Sequence, residues 1–311
     1  MKTSFVATVF NEEENIEQLI TSLLKQSKKV DEIVIVDAKS SDNTNKILSK
    51  YKNKIIILTK NGNRSVGRNT GIKKAKGDII LVSDSGCILG KKWVENITKP
   101  FEKKGIDVVS GFYHPIASTI FEKALSLYTC VMPDRVDPKR FLPSSRSIAF
   151  KKNVWETVDG YPEYLDTCED LVFAKKAKDK KLNFYFAKNA VVYWKQQKNI
   201  LQAFNQFYNY AKGDGRALFV RRQTPLLYLR YLIGGILIYL SLKYSSTNLM
   251  ILSIVLVLGY LIWAVAKNYK YIRDVRGVFL LPLLQVTSDI AVLLGMSNGI
   301  IRYLWATRKK Q

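Results

Sequence analysis

The stretch GRNTGIKKAKGDIILVSDSG, residues 67–86, contains both periodicities that decide the fold. Gly67, Gly71 and Ala75 recur four apart, with polar and basic residues between them; after Gly77 an apolar run, Ile79–Val82, leads to an isolated acid, Asp84. Such a helix followed by a short apolar strand is half of a βαβ unit. The same alternation precedes it. Apolar, β-branched runs at 3–10, 31–37 and 54–60 each lead into helical spacing, as in NIEQLITSLLKQ after the first. Strands alternating with helices predict an α/β domain built on a mostly parallel, Rossmann-like sheet. Ligands of such sheets collect at the carboxyl ends of the strands, where Phe10-Asn11, Asp37 and Asp84 are expected to converge.

Beyond Gly86 the pattern is more mixed. IDVVSGFY reads as a strand, 116–130 as a helix, VMPDRVDPKRFLP as a loop and RSIAF as a strand. GYPEYLDTCED is a loop entering a helix, and 183–194 is expected to supply two short strands. In ILQAFNQFYNYA, Leu201, Phe204, Phe207, Tyr208 and Ala211 share helical spacing, and Lys212, Arg216, Arg221 and Arg222 follow. This composition suits an amphipathic helix at a membrane interface, and equally a helix facing an ordinary core. Three apolar segments then follow at 225–242, 249–266 and 278–301. The second is a nearly uninterrupted apolar run long enough to span a bilayer. The third contains Thr287, Ser288 and Asp289, so a span, a re-entrant hairpin and an interfacial helix all remain open. The domain division is therefore an α/β domain at 1–198, an amphipathic helix and basic linker at 199–224, and a transmembrane helical region at 225–311.

The formal net charge of +23 calls for polyanionic surroundings, and the apolar spans favour anionic membrane lipids over nucleic acid. No compact arginine-rich or aromatic RNA-binding motif is present. The three cysteines, Cys87, Cys130 and Cys168, are widely spaced and expected to be reduced thiols, and one histidine, His114, excludes a histidine-rich metal site. The N-terminal apolar run is too short for a secretion signal, which predicts a cytoplasmic N-terminal domain. The basic loop KNYKYIRDVRG agrees with that orientation, whereas three full crossings would put the basic tail RKKQ on the outer side.

Taken together, VATVFNEEENI, IVIVDAKSSDNT, GRNTGIKKAKGDIILVSDSG and CEDLVF stand in an order that resembles the inverting family-two nucleotide-sugar glycosyltransferases of GT-A fold. The resemblance covers roughly residues 3–222, and the apolar C-terminal region looks like that of membrane-anchored members. It implies a nucleotide-sugar donor contacted by Thr8, Phe10, Asn11, Glu12, Asp37, Arg68, Asn69 and Asp84. It also implies a divalent cation, Mg2+ or Mn2+, at Asp84, and a catalytic base at Asp170. Glu169, Arg146 and Arg216 are expected on the acceptor side or in support of the base. Independently of the family, the acids at 12–14 and 169–170 also suit helix starts, and Asp42 suits a helix cap.

Three positions depart from the family pattern. Ala38 stands where a second acid of V-D-D is usual, Gly86 where D-x-D has its second acid, and Trp194 where a histidine often falls. A hard divalent ion coordinated mostly by water and phosphate oxygens needs only one carboxylate, so Asp84 alone still permits metal. Gln206 fits the start of the Q-x-x-R-W motif of processive synthases, but Asn209 and Tyr210 replace its last two residues, which predicts transfer of one or a few sugars. The expected activity is transfer of a sugar at the cytoplasmic membrane face to a lipid-linked or glycan acceptor, with a polyprenyl-linked saccharide or polyprenyl phosphate favoured. A sugar nucleotidyltransferase and a non-catalytic membrane scaffold are the competing readings; the first would normally carry a glycine-rich activation loop, which VATVFNEEE lacks.

Overall fold

The computed structural model describes residues 1–138 and 140–308; Lys139 and the end of the basic tail, 309–311, lie outside the described residues. The chain divides into two compact units, one of 1–116 with 132–195 and one of 117–131 with 196–311.

The first unit runs β1 (Thr3–Val9), α1 (Ile16–Leu24), β2 (Glu32–Asp37), α2 (Thr44–Ser49), β3 (Ile56–Thr59), α3 (Arg64–Lys74), β4 (Ile79–Val82), β5 (Cys87–Leu89), α4 (Trp93–Thr98) and β6 (Val108–Ile116). After the excursion into the second unit, which contains α5 (Ile120–Thr129), it continues with β7 (Ile148–Lys151), α6 (Lys152–Thr157), α7 (Glu169–Asp179) and β8 (Phe184–Lys195). The sheet order is β3-β2-β1-β4-β7-β6-β8-β5. The first four strands are parallel, β7 is antiparallel to both neighbours, and β6 with β8 is parallel. Strands β1, β2 and β4 are apolar on both faces because helices cover both, which is why they read as continuous runs rather than alternations. One core packs Phe5, Leu19, Ile35 and Trp93, and the opposite one packs Val6, Val34, Ile72 and Phe150.

In place of two short strands at 183–194, the chain forms a single long one, β8 (Phe184–Lys195). Its pairing with β6 shifts register between Ser110 and Phe112, so one continuous strand absorbs an irregularity that sequence spacing reads as a break. The short strand β5, which pairs with β8 through Cys87 and Trp194, has too few residues to show a period.

The second unit contains α5 and then α8 (Ile200–Arg216), α9 (Thr224–Lys243), α10 (Thr247–Ile272) and α11 (Gly277–Arg308). The last three helices are long and apolar enough to cross a membrane. The third apolar segment is one unbroken helix of 32 residues. Helix α8 packs against it backbone to backbone. A Cβ at Gly295 would come within 2.3 Å of the Tyr208 carbonyl, and one at Gly299 within 2.2 Å of the Lys212 carbonyl. Asp289 of α11 is buried and accepts from Arg230 Nη2 (3.0 Å), Tyr231 Oη (3.1 Å), Tyr260 Oη (2.6 Å) and Gln285 Nε2 (3.0 Å), joining α9, α10 and α11. The basic stretch read as a loop, KNYKYIRDVRG at 267–277, is helical over its first six residues, because α10 continues through Ile272.

In the first unit, the glycines of α3 face the sheet. A Cβ on Gly67 would lie 2.2 Å from Thr8 Oγ1, and one on Gly71 would lie 2.6 Å from Val6 Cγ1. Gly67→Val therefore forces α3 away from β1 and is expected to destabilise the unit by about 1–3 kcal/mol, read as a lowered unfolding midpoint; an unchanged midpoint would refute the close approach.

Candidate active site

The carboxyl ends of β1, β2 and β4 and the start of α7 carry most of the residues singled out in the sequence. After β1, Phe10 is 58% exposed, and Asn11 takes a left-handed φ of 52°. Segment 11–13 zips to 40–44: Asn11 N–H donates to Ser40 Oγ, Ser41 N–H to Asn11 Oδ1, Glu12 N–H to Thr44 Oγ1 and Glu13 N–H to Asp42 Oδ2. Asp42 also accepts from Thr44 N–H, a contact two residues on that closes a turn just before the N-cap of α2, Asn43. Thr8 is half-buried beneath this edge, next to Gly67.

Asp37 does not face outward. It is fully buried, with Oδ1 accepting from Ser40 Oγ (2.5 Å) and Oδ2 from Asn45 Nδ2 (2.8 Å). Its carboxylate thereby shapes the loop after β2.

Arg68 occupies the middle of the site. It is 2% exposed, donating from Nη1 to Glu169 Oε1 at 2.6 Å and from Nη2 to Asp84 Oδ1 at 2.7 Å, with its guanidinium 5.3 Å from the Tyr161 ring. Burial disfavours its charge, but the two carboxylates outweigh that and raise its pKa. Burial would likewise raise Asp84, and the guanidiniums of Arg68, Arg146 and Arg64 outweigh it, holding that carboxyl below its ordinary value. Glu169 goes the other way: burial pushes it above the usual range, which Arg68 only partly offsets. Asp84 keeps a side chain 32% exposed, whereas Glu169 is enclosed.

Both Nη groups of Arg68 thus already hold carboxylates, Asp84 and Glu169. Asn69 is engaged in the same way. Its Nδ2 donates to the Tyr161 carbonyl and Glu163 Oε1, and its Oδ1 accepts from Tyr161 N–H and Trp155 Nε1, each at 2.9 Å. Asn69 thus clamps segment 155–163, upstream of α7. Glu169 positions Arg68 and has little surface left for an acceptor.

Asp170, by contrast, is half-exposed at the first turn of α7 and accepts from Ser145 N–H at 3.2 Å. Cys168, just before it, adopts a left-handed φ of 70°, which turns the chain into the helix. Arg146, next to Ser145, lies with its guanidinium 3.8 Å from the Trp194 ring centroid. Arg216 belongs to α8 of the second unit. All three cysteines are buried thiols, and burial pushes Cys87 up to about 12, which suits a core residue better than a ligand.

The structure thus brings together Asp84, Arg68, Glu169 and, through Ser145, Asp170 and Arg146. Cavities of about 570 and 530 Å3 lie elsewhere. One surrounds Lys2, Asp31 and Lys76, the other Trp155, Gly160 and Lys176, and neither is lined by Asp37, Asp84 or Asp170. Among the described residues no group of three His, Cys, Asp or Glu side chains is placed to hold a metal. The roles of Ser145 and Trp194 escaped sequence reasoning; the only signal was negative, an aromatic residue where the family often has a histidine.

Comparison with known proteins supports the same assignment. Residues 4–153 match the model of glycosyl transferase family 2. Glycosyltransferase AglE of Haloferax volcanii is 26% identical over 198 residues, 60% of this chain and 65% of that protein. Poly(ribitol-phosphate) beta-N-acetylglucosaminyltransferase TarP of Staphylococcus aureus is 30% identical over 186 residues, 55% and 56% of the two chains. The chain thus spans a little over half to just under two thirds of these relatives' lengths. Among solved structures, the mannosyltransferase PcManGT of Pyrobaculum calidifontis, in complex with GDP-Man and Mn2+, superposes with a TM-score of 0.64 at 16% identity, covering 94% of this chain and 87% of that one. The strand-end acids, the GT-A sheet and the match across 4–153 agree that these residues, just under half of the chain, form a glycosyl transferase family 2 domain.

Proposed function

We propose that the protein transfers a sugar, with inversion, from a nucleotide-sugar donor to an acceptor at the cytoplasmic face of a membrane. The observation that carries the reading is the bridge through Arg68, which sets a strand-end acid, Asp84, beside the acid pair that opens α7. On this reading Asp84 belongs to the donor side and Asp170 is the base that takes the acceptor hydroxyl's proton as the new bond forms at the sugar's anomeric carbon. The exposed ring of Phe10 offers a stacking face for the base, beside the zipped edge formed by 11–13 and 40–44.

The donor set suits a divalent cation of the hard type, Mg2+ or Mn2+. Asp84 alone supplies a partly exposed carboxylate, leaving the remaining positions to water and the donor's phosphate oxygens. When bound, such an ion neutralises charge on the diphosphate. PcManGT, crystallised with GDP-Man and Mn2+, supports the same assignment for this chain.

A lipid-linked acceptor, a polyprenyl phosphate or polyprenyl-linked saccharide, follows from the three apolar helices and the net charge of +23. Each lysine or arginine close to an anionic leaflet contributes about 1 kcal/mol of attraction, so the basic chain is drawn to the surface where such an acceptor resides. The relative TarP acts on poly(ribitol-phosphate), which supports a second acceptor class, an anionic glycan.

Incubation of the purified protein with a panel of nucleotide sugars, monitored by nucleoside diphosphate release, tests the reading. Pyrophosphate formation in its place would indicate nucleotidyl transfer, and no release would leave a scaffold. Asp170→Asn is expected to lower turnover by about 10²–10⁴-fold with donor binding retained, and normal turnover would exclude it as base. In Asp84→Ala, stimulation by Mn2+ and inhibition by chelator should both disappear; an unaltered response to either would remove the metal role from Asp84.

A further inference from the structure

Arg146 is expected from the sequence on the acceptor side, yet its surroundings belong to the turn after β4. Ser83, the neighbour of Asp84, donates its hydroxyl to the Arg146 carbonyl at 2.7 Å. The guanidinium carbon lies 3.8 Å from the Trp194 ring centroid and 5.4 Å from that of Tyr113, and Nη1 donates to Ser144 Oγ at 3.1 Å. Trp194 pairs across the sheet with Cys87, whose N–H donates to the Asp84 carbonyl at 3.1 Å. A planar cation therefore lies on an aromatic platform in a segment hydrogen-bonded to the turn that carries Asp84.

Stacking over a ring fixes the plane of a guanidinium and leaves its edge donors directed sideways, the geometry that matches phosphate oxygens. Arg68 cannot serve in this way, being 2% exposed with both Nη groups on carboxylates. Arg146 is half-buried, and its carbonyl is tied to the turn after β4 through Ser83. A leaving nucleoside diphosphate gains negative charge as its bond to the sugar breaks, and an ion held by a single carboxylate is a sparse means of countering it. Ser145, adjacent in the chain, donates its N–H to Asp170, so the platform and the base are fixed to one segment.

We propose that Arg146, seated on Trp194, is a catalytic residue that binds the donor's diphosphate and takes up the charge of the leaving group, so that nucleoside diphosphate binding persists without metal. The proposal rests on the nucleotide-sugar reading above. In the step it assists, the acceptor oxygen bonds to the anomeric carbon and the carbon–oxygen bond to the diphosphate breaks. The electron pair stays on the diphosphate oxygen beside Arg146, and the acceptor proton passes to Asp170.

The full-length protein in detergent is titrated with UDP, GDP, CDP, ADP and dTDP, by calorimetry, once with EDTA and once with excess Mn2+. The wild type is expected to bind at least one of them in EDTA. Arg146→Ala should weaken that affinity about tenfold or more, as loss of a charge-assisted pair does, and Arg146→Lys should restore part of it. Melting temperatures of the variants establish that each is folded, and the lysine variant carries the comparison if the alanine one is not. Equal metal-free affinity in wild type and folded variants would overturn the role of Arg146 and leave the donor reading intact, as would wild-type binding seen only with Mn2+. A wild type that binds none of the five, with or without metal, would overturn the donor reading and this proposal with it.

Discussion

The bridge from Asp84 through Arg68 to Glu169 is the interaction on which the arrangement of the first unit depends. Removing a guanidinium and a carboxylate from water costs several kcal/mol per ion, and that cost is recovered only when geometry is good and every donor is used. Here both Nη groups meet carboxylate oxygens at 2.6 and 2.7 Å, and the ring of Tyr161 lies alongside. The bridge therefore does more than stabilise. It fixes the end of β4, the first half of α3 and the first turn of α7 relative to one another, and a displacement of any one would strand a buried charge. It also separates two adjacent acids into different roles. Glu169 is enclosed and committed to Arg68, while Asp170, one residue on, keeps exposed surface.

Helix α3 can do this because each of its sides meets a different partner. Gly67 and Gly71, four apart, let the helix backbone approach β1 and β2. Arg68 turns toward the acids, and Asn69 saturates all its amide groups on segment 155–163. That segment leads directly to Cys168 and α7. The helix thus sets the positions of the strand-end acid and of the loop that delivers the second acid pair.

Much of this was legible in the sequence, and the part that was not has one physical cause. Strand runs, helical spacing and the order of acids identify the sheet and its carboxyl edge, because periodicity and burial are local properties of the chain. The partners of Arg68, Asn69 and Asp37 were not legible, because residue type gives the capacity for hydrogen bonds but not whether the fold has already filled it. The partners of Arg68 lie 16 and 101 positions away. Asp289 illustrates the same limit in the second unit: an acid in an apolar segment is visible as an anomaly, but its donors on α9 and α10 are not. The register shift in β8 was hidden for a related reason, since a strand that bends still alternates too weakly to be told from two short ones.

The lone Asp84 has a consequence for the proposed chemistry that a pair of acids would not have. An ion held by several protein carboxylates is resident, and its affinity is a property of the protein. An ion held by one carboxylate takes most of its ligands from water and from the donor's phosphates, so its affinity depends on the donor being present. By linkage the donor then binds more tightly with the ion than without it, by the same factor in both directions. A fixed guanidinium close to Asp84 acts differently, because it supplies charge at all times and requires no ligand of its own. A site with one carboxylate and one stacked arginine would thus recognise the diphosphate before the ion arrives, and would use the ion to tighten a complex already oriented.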